Sequence, residues 1–178
     1  MKTGKTVKVL LALTTAAGML AGCGSKTDTD TFRFASELDI QGMDSTVVDD
    51  GMSYNAIHAI TDGLTAVNDK GKTVPALAKS WDVSADGKTY TFHLKDAKWS
   101  NGDEVTANDF VYSWKKIIKN AGNYAYMLGD DGASVKNAST LIDLGPKATD
   151  EQMNTLGVKA TDDKTLVVEL NNKVPYFT

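Results

Sequence analysis

Residues able to do acid–base, nucleophilic or metal chemistry are few and scattered along this 178-residue chain. Cysteine occurs once, at Cys23, so no internal disulfide framework can form. The two histidines, His58 and His93, stand 35 residues apart with no ligand motif around either. A metal site needs clustered ligands, so both read as surface or boundary residues. Asp103 and Glu104 could be posed as an acid–base pair, yet neighbours on an extended segment point to opposite sides. A loop leading into a helix cap accounts for them. Asp49-Asp50 precedes a helical pattern, where carboxylates cap free amides and favour the helix dipole. No Gly-x-Ser-x-Gly elbow and no Gly-x-x-x-x-Gly-Lys phosphate loop is present. The sequence therefore nominates no catalytic residue, no metal ligand and no cofactor site, and offers no positive evidence for an enzyme.

The start of the chain says where it works. Lys2, Lys5 and Lys8 precede a mostly apolar run of 12 residues, Val9 to Leu20, followed by Ala21, Gly22 and Cys23. That run is shorter than the roughly 20 residues a spanning helix needs. A basic start, a short apolar core and small residues behind it make a secretory signal peptide, residues 1–22. Leu20-Ala21-Gly22-Cys23 resembles the lipobox of bacterial lipoproteins, which implies cleavage before Cys23 and acylation of its thiol. Removing the leader takes away three lysines and no acid. Nineteen basic residues against 23 acidic become 16 against 23, a net of about −7. An acidic exported chain is a poor candidate for nucleic acid, where basic surface supplies most of the affinity. Residues 23–30 are small and polar and read as a flexible tether; their aspartates lack the spaced ligands and closing glutamate of a calcium loop.

The elements that follow mix strands and helices without strict alternation, so the class is α/β in the loose, α+β-like sense. Thr31 to Leu38 alternates Phe32 and Phe34 against Arg33 and Ala35, which predicts a strand. SYNAIHAITDGL predicts a helix with Ile57, Ile60 and Leu64 on one face, ending near Gly63 before the turn NDKGK. WDVSADGKTYTFHL predicts a hairpin about Ala85-Asp86-Gly87, with Tyr90, Phe92 and Leu94 on one side. VKATDDKTLVVEL predicts a second hairpin about Asp162-Asp163, with Leu166, Val168 and Leu170 on one side. Between them, Thr106 and Asp109 form a capping box ahead of an apolar stripe, Phe110, Val111, Trp114, Ile117 and Ile118, ending before Gly122. A shorter helix starts at Thr149, boxed by Gln152, and ends at Leu156-Gly157.

Read as a block, PALAKSWDVSADGKTYTFHLKDAKWSNGDEVTANDFVYSWKK resembles the signature region of the extracytoplasmic solute-binding proteins of peptide-type ABC importers, family 5, the oligopeptide- and dipeptide-binding lipoproteins. LGVKATDDKTLVVEL and VPYF agree with it, and the likeness runs from Thr31 to the end, plus the lipobox. The resemblance implies a periplasmic-binding-protein type II-like fold, with only the first part of lobe I and the inserted subdomain present in what would be an N-terminal fragment. Residues 31–51 would start lobe I, 52–171 would form the subdomain, and 172–178 would return to lobe I. KWSNGDEVTANDF, residues 98–110, would be scaffold: an aromatic anchor at Trp99, a turn at Gly102 and a capped helix. The implied function is non-catalytic capture of oligopeptides by a lipid-anchored monomer that delivers them to membrane permease subunits. Ser36, Glu37, Leu38 and Asp39 match the segment whose backbone pairs with the peptide as an added strand. Tyr124 resembles a tyrosine near the ligand, with lobe packing as its alternative role. Nickel, haem or a signalling peptide remain alternative ligands within the family, and a structural or hydrolytic surface lipoprotein the alternative outside it.

Overall fold

The computed structural model describes residues 35–36 and 38–178. The leader, Cys23, the tether, Glu37 and most of the expected strand Thr31–Leu38 lie outside the described residues. Where that strand is described, at Ala35, Ser36 and Leu38, the backbone joins no strand. Both sheets draw their pairs from Thr65 onward, so the periodicity there meets no ladder among the described residues.

In chain order the elements are α1 (Gly51–Ile60), β1 (Thr65–Val67), β2 (Thr73–Pro75), β3 (Ala78–Val83), β4 (Thr89–Leu94), α2 (Ala107–Lys119), a 3₁₀ turn (Ala125–Leu128), α3 (Ala138–Leu144), a second 3₁₀ turn (Gly145–Lys147), α4 (Asp150–Met153), β5 (Val158–Asp162) and β6 (Thr165–Glu169). The two predicted hairpins are β3–β4 and β5–β6. They join through β4 and β6 into one antiparallel sheet of order β3-β4-β6-β5. Register places Trp81, Phe92, Leu166 and Ala160 in one row across the sheet, and Val83, Tyr90, Val168 and Val158 in the next. Phe92, Leu166 and Val168 are buried, as the alternation requires. Side chains of this size each contribute about 1.5–3 kcal/mol on full burial, so the sheet face is the main source of stability. The predicted stripe of α2 packs into the same core, together with Leu141 of α3 and Met153 of α4. Phe177 closes the sheet face, its ring 4.6 Å from that of Tyr90.

Helix ends follow side-chain chemistry. The Asp50 carboxylate accepts the Ser53 N–H at 2.7 Å and starts α1. The Asp109 carboxylate accepts the Thr106 N–H at 2.7 Å, and Thr149 and Gln152 exchange bonds of 2.8 and 3.2 Å at the start of α4. α1 stops at Ile60, short of Gly63, and its expected face is not buried as a stripe. Ile57 is buried, but Ile60 is 72% exposed, and Leu64 packs on the core only after the chain has left the helix. The helix also buries Ser53, whose hydroxyl oxygen accepts the Gln41 and Gly42 N–H groups at 2.9 and 3.2 Å.

The stretch 98–110 folds as expected in outline. Gly102 donates to the Trp99 carbonyl at 2.9 Å, with φ +96°, a conformation glycine adopts without penalty. Ala107, the first residue of α2, donates to the Asp163 carbonyl at 2.8 Å, tying helix to hairpin turn. Trp99, however, is no core anchor. It is 47% exposed, its indole N–H 3.4 Å from an Asp109 oxygen, and Val105 and Ala107 are the buried residues of the stretch. Asp103 and Glu104 also part company. Asp103 accepts from Asn101 and Glu104 from Lys164, at 2.7 and 3.3 Å.

Candidate functional site

Three pieces of chain meet where the residues before α1 cross the end of α2. The Asp44 carboxylate accepts the Thr46 N–H at 3.0 Å and its hydroxyl at 2.7 Å, which turns the chain back on itself. Its other oxygen takes the Lys116 ammonium at 2.7 Å. Asn120 donates to the Thr46 hydroxyl and Asn123 to Asp49, each at 2.8 Å. Glycine at 122 permits the approach, because a Cβ there would lie 2.2 Å from the Thr46 carbonyl oxygen.

Against this junction lies a cleft of about 460 Å³. It is lined by Ser45 and Thr46, by Trp114 and Ile117 of α2, and by Tyr54, Tyr124 and Met127. Tyr54 and Tyr124 meet edge to face at 5.1 Å with an interplanar angle of 89°, the favoured arrangement for two aromatic quadrupoles. Tyr126 leans on Tyr124 at 6.4 Å.

The electrostatics do not favour proton transfer near neutral pH. The bond from Lys116, with two more from Thr46, holds the Asp44 carboxyl down at about 2. Burial, reinforced by Tyr124 and Asp49, pushes the Tyr54 phenol up. Aromatic walls with hydroxyl and carbonyl groups at the edge can hold an apolar or main-chain group; they carry no general base. His58 is exposed on α1 and His93 sits 2.8 Å from Asp82, apart from the cleft. Among the described residues no three His, Cys, Asp or Glu side chains gather where a metal ion could sit.

Of the residues nominated from sequence, Tyr124 lines this cleft. Ser36 and Asp39 are exposed, Leu38 is 66% exposed, and the Asp39 carbonyl accepts from the Gln41 side chain at 3.4 Å. Leu38 and Asp39 do not line the cleft. Glu37 and Cys23 lie outside the described residues. Sequence reasoning passed over Tyr54, Trp114 and Met127. The first two sat inside helical patterns, where an aromatic reads as core, and no sequence signal marked Met127.

Comparison with known proteins identifies the family of this mixed unit of helices and antiparallel sheet. Residues 72–178 match the family model described as bacterial extracellular solute-binding proteins, family 5, middle region. The chain belongs to that family. It is 40% identical over 99% of its length to a dipeptide-binding protein of Lactococcus lactis subsp. cremoris, covering 31% of that protein. Its structure matches the substrate-binding domain of an oligopeptide ABC transporter from Bacillus anthracis, with TM-score 0.72 and 39% identity, over 81% of this chain and 27% of that one. It also matches Haemophilus influenzae OppA in complex with the peptide RPPGFSPFR, with TM-score 0.68 and 39% identity, over 77% of this chain and 26% of that one. The fold is thus of the periplasmic-binding-protein type II class, and the chain spans about a third or less of the length of these relatives.

Proposed function

We propose that this chain belongs to a lipid-anchored receptor that captures oligopeptides outside the cell and hands them to the permease subunits of an ABC importer, without chemical turnover. The receptor acts as a monomer. Residues 1–22 direct export, acylated Cys23 holds the protein to the membrane, and residues 23–30 give it reach. Residues 31–51 and 172–178 belong to the lobe that carries the ligand, and residues 52–171 to a subdomain set into it. The main chain of Ser36, Glu37, Leu38 and Asp39 pairs with the peptide as an added strand, a mode that tolerates many side chains. Tyr124 packs against the peptide.

The likeness to a solved relative that holds a nonapeptide, at 39% identity, is the observation that carries this reading. Native mass spectrometry of the whole receptor extracted from its own membrane tests it. The expected result is a diacylglycerol mass at Cys23, lost in Cys23→Ala, together with a ladder of peptide adducts that exchanges with an added tryptic digest of casein. A receptor that carries no peptide and takes none from the digest refutes peptide capture. One without the lipid mass refutes the anchor alone.

A further inference from the structure

We propose that Tyr54 is a positioning residue for Tyr124, fixing the ring that meets the ligand; the proposal rests on the peptide-binding reading above. Tyr54 stands on α1 and Tyr124 on the loop that follows α2, and both line the cleft. Its hydroxyl lies 3.2 Å from the carbonyl oxygens of both Ser45 and Val48, so its single proton can serve either. That phenol is pushed up in pKa by burial and remains a donor across the working range. With its tip tied to the backbone of the 44–50 segment, the Tyr54 ring offers Tyr124 a fixed face at 5.1 Å.

The loop carrying Tyr124 is held to the same segment on its own account. Asn123 bonds Asp49, Asn120 bonds Thr46, and Gly122 lies against the Thr46 carbonyl. These contacts hold the loop's backbone, and none of them involves the Tyr124 side chain. The Tyr54 ring, in edge-to-face contact at 5.1 Å, is what limits the rotation of that side chain, and the Tyr126 ring stands 6.4 Å from it. Tyr54 therefore acts on the ligand through Tyr124. A ring placed before the peptide arrives loses less side-chain freedom on binding.

The test is a double-mutant cycle on the whole receptor, titrated calorimetrically with RPPGFSPFR and with trialanine. Tyr124→Ala is expected to weaken binding by about tenfold, Tyr54→Ala by about fivefold and Tyr54→Phe by about twofold, the range that aromatic pairs supply. The decisive readout is coupling, because a residue acting only on the fold would not show it. The variant carrying both Tyr54→Ala and Tyr124→Ala is expected to bind no more weakly than Tyr124→Ala alone. Equal losses from Tyr54→Ala in both backgrounds, or no loss in either, overturn the proposal. If Tyr54→Ala fails to fold, the cycle with Tyr54→Phe decides in the same way. A receptor that binds the peptides but ignores Tyr124→Ala overturns the positioning role and leaves peptide capture standing. A wild type that binds neither peptide overturns both.

Discussion

Replacing Gly122 by alanine tests whether the cleft is held by the close approach of two backbones. Gly122 is not among the positive-φ glycines, so its conformation admits alanine and only the space is at issue. The new Cβ would meet the Thr46 carbonyl oxygen at 2.2 Å, its carbon at 3.2 Å and the Ile117 Cγ1 at 2.9 Å. Ile117 can rotate. Thr46 cannot, since Asp44 and Asn120 hold it through three hydrogen bonds of 2.7 to 3.0 Å. Either the clash persists, at the roughly 1–3 kcal/mol typical of overpacking, or the segment lifts and forfeits bonds worth about 1 kcal/mol each. Gly122→Ala is therefore expected to destabilise by about 2–3 kcal/mol, a melting temperature lower by roughly 5–10 °C for a unit of this size. Gly51→Ala is the control. It opens α1 with nothing within 4 Å of the added carbon, and the better helix propensity of alanine makes it neutral or stabilising by up to about 1 kcal/mol. Urea and thermal unfolding followed by circular dichroism read both. A Gly122→Ala protein within about 0.5 kcal/mol of wild type, the ordinary range for surface substitutions, refutes the argument that this contact is rigid.

The Asp44–Lys116 pair makes a prediction in pH. The folded carboxyl, at about 2, lies below its ordinary 3.8, so its contribution is complete above about pH 4 and is lost as pH falls through about 2. The partners' side chains are 43% and 34% exposed, and pairs of that kind are worth about 0–1 kcal/mol. Wild type is expected to exceed Asp44→Asn slightly in urea unfolding at pH 6, with the gap closing by pH 2; a gap constant with pH would count against the pair. In the core, Leu166→Ala removes a fully buried side chain and should cost about 2–5 kcal/mol, whereas Val67→Ala, at a site 71% exposed, should stay within about 0.5 kcal/mol. Chemical denaturation compares the two directly, and similar losses would mean that the sheet face is not the principal core.

Much of the scaffold was legible because its signals are local. Alternation named the buried face of β4 and β6, and Asp-rich turns bracketed both hairpins. Thr106 with Asp109 and Thr149 with Gln152 announced two helix starts within four residues each. The docking of β4 against β6 was not legible, since it joins residues more than 70 apart and each strand's pattern is satisfied by any apolar partner. α3 escaped for another reason. It has seven residues, and its cap residue Asn137 adopts a left-handed backbone and makes no side-chain cap bond, so the usual hydroxyl-and-carboxylate signature is missing. Trp99 misled because size and hydrophobicity suggest burial. The turn at Gly102 leaves its ring half exposed, and smaller Val105 takes the interior place.

The site was less legible than the fold, and the cause lies in which forces build it. Periodicity records apolar burial, and the cleft does not depend on it alone. Asp44, Thr46, Asp49, Asn120 and Asn123 look like solvated loop residues in sequence, and several remain partly exposed. Yet their choice of partners brings the 44–50 segment onto the end of α2 and sets the frame for two tyrosines 70 residues apart. Those partners follow from geometry that a one-dimensional pattern does not carry. Tyr124 could be singled out only through resemblance to a family, and Tyr54 not at all, because an aromatic within a helical pattern reads as core. A variant that keeps every buried apolar residue but exchanges Asn120 and Asn123 for alanine would leave the readable pattern intact, and would strip the Tyr124 loop of its two side-chain bonds to the 44–50 segment.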